Sequence, residues 1–338
     1  MRSPDASPVT LALILVACSG SGSSGGSGSS SCPAAPATAK YSALIVFGDS
    51  TVDSGYYRAI GASPSPNATF SGYWPAALAA GAGIPTSSPG LVYPQVLAQE
   101  LGVHADPANQ PCGTNYATSG AKNVAVNSSV NGGFRAAVPT VTQIASYLSG
   151  AGRADPKALY LISSGGNDVA FAAGLSGLGG FPPDPGQYVT DAANALAQAI
   201  ASLKGAGATH LVVANLTSSF GSTTVQQLNA TYNQALFSAL SGLGVDIIRA
   251  DIDAVRLQIR ANPSQYGFTS ISNAPGNTAC TQPAGITSAW ALLCSSAAGA
   301  PSTFASPNAD QTLLFADDEH LATAGQKILA NYVLGLVQ

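Results

Sequence analysis

The chain has 338 residues, of which 46% are hydrophobic and only 8% charged, with a formal net charge of −4. That length and apolar content suffice for a large buried core and exclude general disorder. The 12 Lys and Arg residues, set against 16 Asp and Glu, form no basic cluster, so nucleic acid is excluded as an expected partner.

Residues 1–17 carry Arg2, offset by Asp5, and then an apolar run over residues 9–17. The run is too short to span a bilayer and suits the h-region of a signal peptide. Leu15-Val16-Ala17-Cys18 resembles the bacterial lipobox, in which the cysteine is acylated and becomes the mature N-terminus. Lipidation at Cys18 and an anchor in the bacterial cell envelope are the expectation, with Ser19 resembling the outer-membrane sorting choice. The alternative is an ordinary cleaved signal peptide and a secreted protein. Residues 18–39 begin with that cysteine and continue through an almost pure Gly/Ser run to residue 31, the composition of a flexible tether. No later break in composition divides the chain, so residues 40–338 read as one domain.

Five cysteines are present, at positions 18, 32, 112, 280 and 294. No Cys-x-x-Cys pair exists and the three histidines lie far from the cysteines, which argues against a metal site. With Cys18 set aside, four remain, and an even number in an exported chain suggests two disulfides. Cys280–Cys294 would close a short loop and Cys32–Cys112 would take the rest; the sequence does not fix that connectivity.

Within the domain, short apolar runs alternate with helical periodicity. Strands are predicted at 42–47, 157–163, 209–215 and 245–250, with a short one at 312–315, and helices at 92–102, 138–149, 187–204, 222–242, 252–261 and 322–336. Alternation of this kind predicts a three-layer α/β/α sandwich around a mostly parallel sheet, with ligands gathered at the carboxyl ends of its strands. The Gly-, Pro- and aromatic-rich stretch 56–90 interrupts the alternation and reads as an insertion facing the substrate side; 264–310 is a second one.

Four stretches share a strand-end character. Gly48-Asp49-Ser50-Thr51 follows the first apolar run, placing a serine where free backbone N–H groups point outward. Alone this is a weak signal, since serine is a common helix cap. Asn115-Tyr116-Ala117-Thr118-Ser119-Gly120-Ala121, Gly165-Gly166-Asn167-Asp168 and Asp317-Asp318-Glu319-His320 follow in order. Serine needs a base to become a nucleophile. Of the three histidines, His210 lies within an apolar strand and His104 in a loop after a helix, whereas His320 sits in an acidic cluster at a strand end. Asp317, three positions earlier, can fold back to its ring; Asp318 and Glu319 are rivals on position alone.

Taken together, from about residue 41 to 337, these blocks resemble the GDSL, or SGNH, hydrolase family of serine esterases and lipases. Thr51 stands where the family name has leucine, and Ser119 where many members carry glycine. The resemblance implies a flavodoxin-like sheet, Ser50 as nucleophile, His320 as base and Asp317 as its orienter. It implies an oxyanion hole of Ser50 N–H, Gly120 N–H and the Asn167 amide, a small-molecule or lipid ester as substrate, and neither metal nor organic cofactor. Two other functions stay open on the sequence: acyl transfer from the same acyl-enzyme, and a silent lipid- or glycan-binding lipoprotein. Oligomeric state is not legible.

Overall fold

The computed structural model describes residue 32, residues 34–124, residue 134, residues 136–175 and residues 182–338. The signal segment, Cys18 and the Gly/Ser run lie outside the described residues. Residues 33–338 cluster as one compact unit.

Its centre is a four-stranded parallel sheet in the order β1 (Leu44–Gly48), β2 (Leu159–Ser163), β3 (His210–Ala214), β4 (Ile248–Ala250). A further extended segment pairs with the other edge of β1: Val46 N donates to Thr114 O, Tyr116 N to Val46 O and Thr118 N to Gly48 O. The chain thus leaves β1 to one side and returns to the other, as in a flavodoxin-like sheet. Such a reversal opens a crevice at the carboxyl ends of the strands.

The apolar runs are nearly continuous because both faces are covered. Leu44, Val46, Leu159, Leu161, Val212 and Ala214 pack against α3 (Tyr93–Leu101), α8 (Ile252–Ala261) and α10 (Thr323–Val337). Ile45, Phe47, Tyr160, Ile162, Leu211 and Val213 pack against α4 (Thr140–Ala151), α5 (Gly166–Ala172), α6 (Pro185–Gly205) and α7 (Thr223–Gly242). The three-layer expectation holds, and the six predicted helices lie within a few residues of the observed ones.

Two differences matter. The predicted strand at 312–315 is not one. Thr312 ends the short helix α9 (Ala309–Thr312), and Leu313 and Phe315 make only single bridges, to Ser270 and Leu321. Ala316 N donates to His320 O at 2.7 Å and Ala322 N to Leu314 O at 2.9 Å, so the chain doubles back instead of pairing with the sheet. The second difference is a lobe. The stretch 56–90 contains α1 (Tyr56–Ile60) and α2 (Ala68–Ala79), which the sequence did not signal. Tyr57, Phe70, Trp74 and Ala77 share a buried cluster with Cys280, Trp290, Leu292 and Leu293, the last three on a 3₁₀ turn at Trp290–Leu293 or beside it. The two insertions form one structure. Cys280 and Cys294 are joined, and Cys32 and Cys112 are each disulfide-bonded as well. Disulfides fit an extracellular or periplasmic location, and no described helix is long and apolar enough to cross a membrane.

Gly48 ends β1 at φ +152°, where an added Cβ would lie 1.9 Å from Ser163 O. Gly48→Ala is expected to lower unfolding free energy by about 2–4 kcal/mol, measured by urea denaturation; a loss below about 0.5 kcal/mol would contradict this packing.

Candidate active site

The Gly48 turn is held from below. Gln143 on α4 accepts Gly48 N at 2.8 Å and donates to Gly48 O at 2.9 Å and Val138 O at 2.7 Å. Asp49 N donates to Ser163 O, and Val52 N closes a tight turn on Asp49 O. Ser50 sits at the top of that turn, partly exposed. Buried Asp49 accepts Thr51 N and Thr51 Oγ1 through Oδ1, at 3.0 and 2.8 Å. Burial raises the pKa of this carboxyl, although these bonds oppose the shift.

The second block is fixed to the first by Asp53. Its Oδ1 accepts Gly55 N and Tyr56 N, and its Oδ2 accepts Ser119 N at 2.8 Å and Ser119 Oγ at 2.6 Å. The Ser119 hydroxyl is therefore spent on Asp53. Gly120 follows at φ +80°, and a Cβ there would meet Phe134 at 2.8 Å. Glycine is required on both counts. Asn115 completes the join by donating to Val52 O and accepting Ala117 N.

The third block opens α5. Tyr232 Oη donates to Ser164 O and accepts Asn123 Nδ2, and its ring lies where a Cβ on Gly165 would sit. Asn167, on the first turn, donates to Ala121 O at 3.0 Å. Asp168 accepts Asn123 N, and burial raises its pKa to about 7. Among the described residues, the backbone N–H groups of Ser50 and Gly120 have no hydrogen-bond acceptor. Gly120 is buried. Buried N–H groups are nearly always paired, so an open one at Gly120 is exceptional.

The fourth block is the tightest. His320 Nδ1 lies 3.0 Å from Asp317 Oδ1 and 2.9 Å from Oδ2, with Asp317 0% and His320 5% exposed. Oδ1 also accepts His320 N and Glu319 N, and Oδ2 accepts Ala291 N. Of the three rivals, only Asp317 hydrogen-bonds the ring. Burial pushes the imidazole down, but the Asp317 charge and hydrogen bond outweigh it and raise its pKa to about 9. Imidazolium therefore stabilises the folded chain below the ordinary histidine pKa of about 6.5, and that contribution is lost as pH rises through about 9. Among the described residues, His320 Nε2 is buried with no hydrogen-bond partner and the Ser50 hydroxyl has none either, so the two are not hydrogen-bonded in this geometry. Resting geometries of this kind commonly tighten only with substrate. Electrostatically, His320 still bears on Asp49, the residue preceding Ser50.

The other histidines stand apart from this turn. His104 has a side chain 57% exposed, 4.0 Å from Asp106, and His210 packs edge-on against Tyr41. Among the described residues no group of three His, Cys, Asp or Glu side chains could hold a metal. A groove of about 860 Å³ lies elsewhere, between α7 and the ends of β3 and β4, and none of its lining residues belongs to the four blocks. The sequence did not reveal Gln143, the Ser119–Asp53 pair or the Ala291 donor. Gln143 alone carried a trace of signal, as a polar residue among the apolar positions of α4.

His320 should titrate by NMR with a midpoint near 9. In Asp317→Asn the charge is gone while burial persists, so the midpoint should fall below about 6.5. An unchanged midpoint would contradict the pairing.

The sequence is similar to one of Pseudomonas putida described as an uncharacterized protein in the trpE-trpG intergenic region, 27% identical over 360 aligned positions. The alignment takes in 100% of this chain but 53% of the relative, so the chain spans about half the length of that protein. It also matches the GDSL-like Lipase/Acylhydrolase family over residues 44–333, which contain all four blocks. The chain thus belongs to that family, whose members are hydrolases of the esterase and lipase type.

Proposed function

We propose that this chain is a serine-dependent carboxylic ester hydrolase working through an acyl-enzyme on Ser50. Ser50 Oγ attacks the ester carbonyl, and His320 Nε2 takes its proton. Asp317 fixes the imidazole with Nδ1–H toward the carboxylate and stabilises the imidazolium. The oxyanion is received by Ser50 N–H, Gly120 N–H and the Asn167 amide, each donor contributing roughly 3 kcal/mol to the transition state. The imidazolium then protonates the leaving alcohol, and water, activated by the same base, releases the acid.

The observation that carries this reading is the pairing of a buried Asp317–His320 couple, its Nε2 unengaged, with two open backbone donors on neighbouring loops. The substrate is a small-molecule or lipid ester. Export with a lipid anchor at Cys18 remains part of the proposal, resting on the lipobox resemblance of residues 15–18.

Ser50→Ala should cut turnover of a short-chain p-nitrophenyl ester by roughly 10³-fold or more and abolish fluorophosphonate labelling. His104→Ala and His210→Ala should keep parent-like turnover. Parent-like hydrolysis by Ser50→Ala would refute the proposal. Product analysis with a competing alcohol separates hydrolysis from acyl transfer.

A further inference from the structure

Two backbone N–H groups reach the acidic turn from outside the four blocks. Ala291 N donates to Asp317 Oδ2 at 2.9 Å, and Ala289 N to Asp318 Oδ1 at 3.1 Å. Ala289 has φ +57°, a left-handed backbone that a residue bearing a Cβ adopts only where its surroundings impose it.

The surroundings are a stapled loop. The Cys280–Cys294 disulfide closes the segment that carries both donors. Trp290 Nε1 donates to Cys280 O at 3.1 Å. Cys280 N donates to Ala316 O at 3.0 Å, one residue before Asp317, and Cys294 N donates to Ala291 O at 3.1 Å. Cys280, Trp290, Ala291 and Cys294 are each at most 1% exposed. One half-cystine is thus tied to the backbone leading into Asp317, and the other to the residue whose N–H holds the outer oxygen of Asp317.

We infer that the Cys280–Cys294 disulfide is a positioning element for the Asp317–His320 pair, so that full activity requires this bond. The inference rests on the serine-esterase reading. With the bond in place, Oδ1 is fixed by the turn's own N–H groups and Oδ2 by Ala291, so the carboxylate presents both oxygens to Nδ1. The ionisable groups that face the imidazole are Asp317, Asp318 and Glu319 on its own turn and Asp49 on the Ser50 turn, all of them acids. When the lobe loosens, Asp317 loses its outer donor, water enters, and the attraction between carboxylate and imidazolium is screened.

The test is the full chain carrying Cys280→Ser and Cys294→Ser together, compared with the parent on a short-chain ester across pH. The expected result is a 10- to 100-fold fall in kcat, the scale of a small misplacement of a catalytic group. KM should change less than about threefold and the apparent pKa of the rate profile should move from about 9 toward the ordinary histidine value. Trp290→Phe keeps both sulfurs and removes only the bond to Cys280 O; it should move both quantities the same way by a smaller factor, and it decides the matter if the double variant does not fold. A parent-like kcat and pH profile in the folded double variant, or in Trp290→Phe where that variant decides, overturns the inference. Fluorophosphonate labelling of the parent keeps the two ideas apart. Failure to label Ser50 sinks the esterase reading itself, whereas labelling with unchanged variants sinks only the role of the disulfide.

Discussion

A buried carboxylate facing a buried imidazole sets the terms for the rest of this molecule. Asp317 and His320 are withdrawn from water almost completely, and neither charge could be kept there alone. The pair is tolerable because every lone pair of the carboxylate that faces the protein has a donor: two N–H groups of its own turn, one from Ala291, and the ring. Removing one partner would leave an uncompensated buried charge, which is the expensive event, rather than the loss of the pair's own attraction. The pair therefore constrains its neighbours, and the doubling back of residues 314–322 together with the lobe behind it exists in a geometry that supplies those donors.

The same logic of closed polar accounting runs through the other loops. Asp53 takes four donors, Asn115 bridges two loops, and Gln143 holds both the N–H and the C=O of Gly48. These side chains leave little freedom at the positions they brace. Against that background, the N–H groups of Ser50 and Gly120 and the Nε2 of His320 are left without a partner among the described residues, as are buried polar atoms elsewhere such as Ser54 Oγ and Trp74 Nε1. The reversal of strand order at β1 brings the Ser50 turn, the second block and the start of α5 to the carboxyl end of the sheet, since Ser50 follows β1, Asn167 follows β2, and the second block pairs with the opposite edge of β1.

Much of this was legible in the chain. β1, β2 and β3 are short, mostly apolar and ended by turn residues, and the long helices carry a clear period. The turns that carry Ser50, Gly120 and Asn167 were legible because such turns use few residue types, and the His320–Asp317 contact because the two stand three positions apart. The lobe was not. α2 carries Pro75 and buries Phe70, Trp74 and Ala77 along one face, but Tyr73, Ala76, Leu78 and Ala79 leave the rest of it apolar too, so the contrast between faces that marks a helix is missing and it reads as loop. The edge segment 114–118 is polar and pairs through its backbone, which leaves no hydrophobic signature. The apolar run at 312–315 read as a strand because burial against Asp317's turn and burial in a sheet ask for the same side chains. The Ala291 donor is a main-chain group, and no residue type announces it.

The most direct test of the account is a crystal structure of the chain after reaction with an alkyl phosphonate. The expected adduct is on Ser50 Oγ, with its phosphoryl oxygen about 2.7–3.1 Å from Ser50 N, Gly120 N and Asn167 Nδ2, and with His320 Nε2 at about 2.6–3.2 Å from the serine or leaving-group oxygen. An adduct on another residue, or one on Ser50 whose oxygen turns away from those donors while His320 remains out of reach, would contradict it.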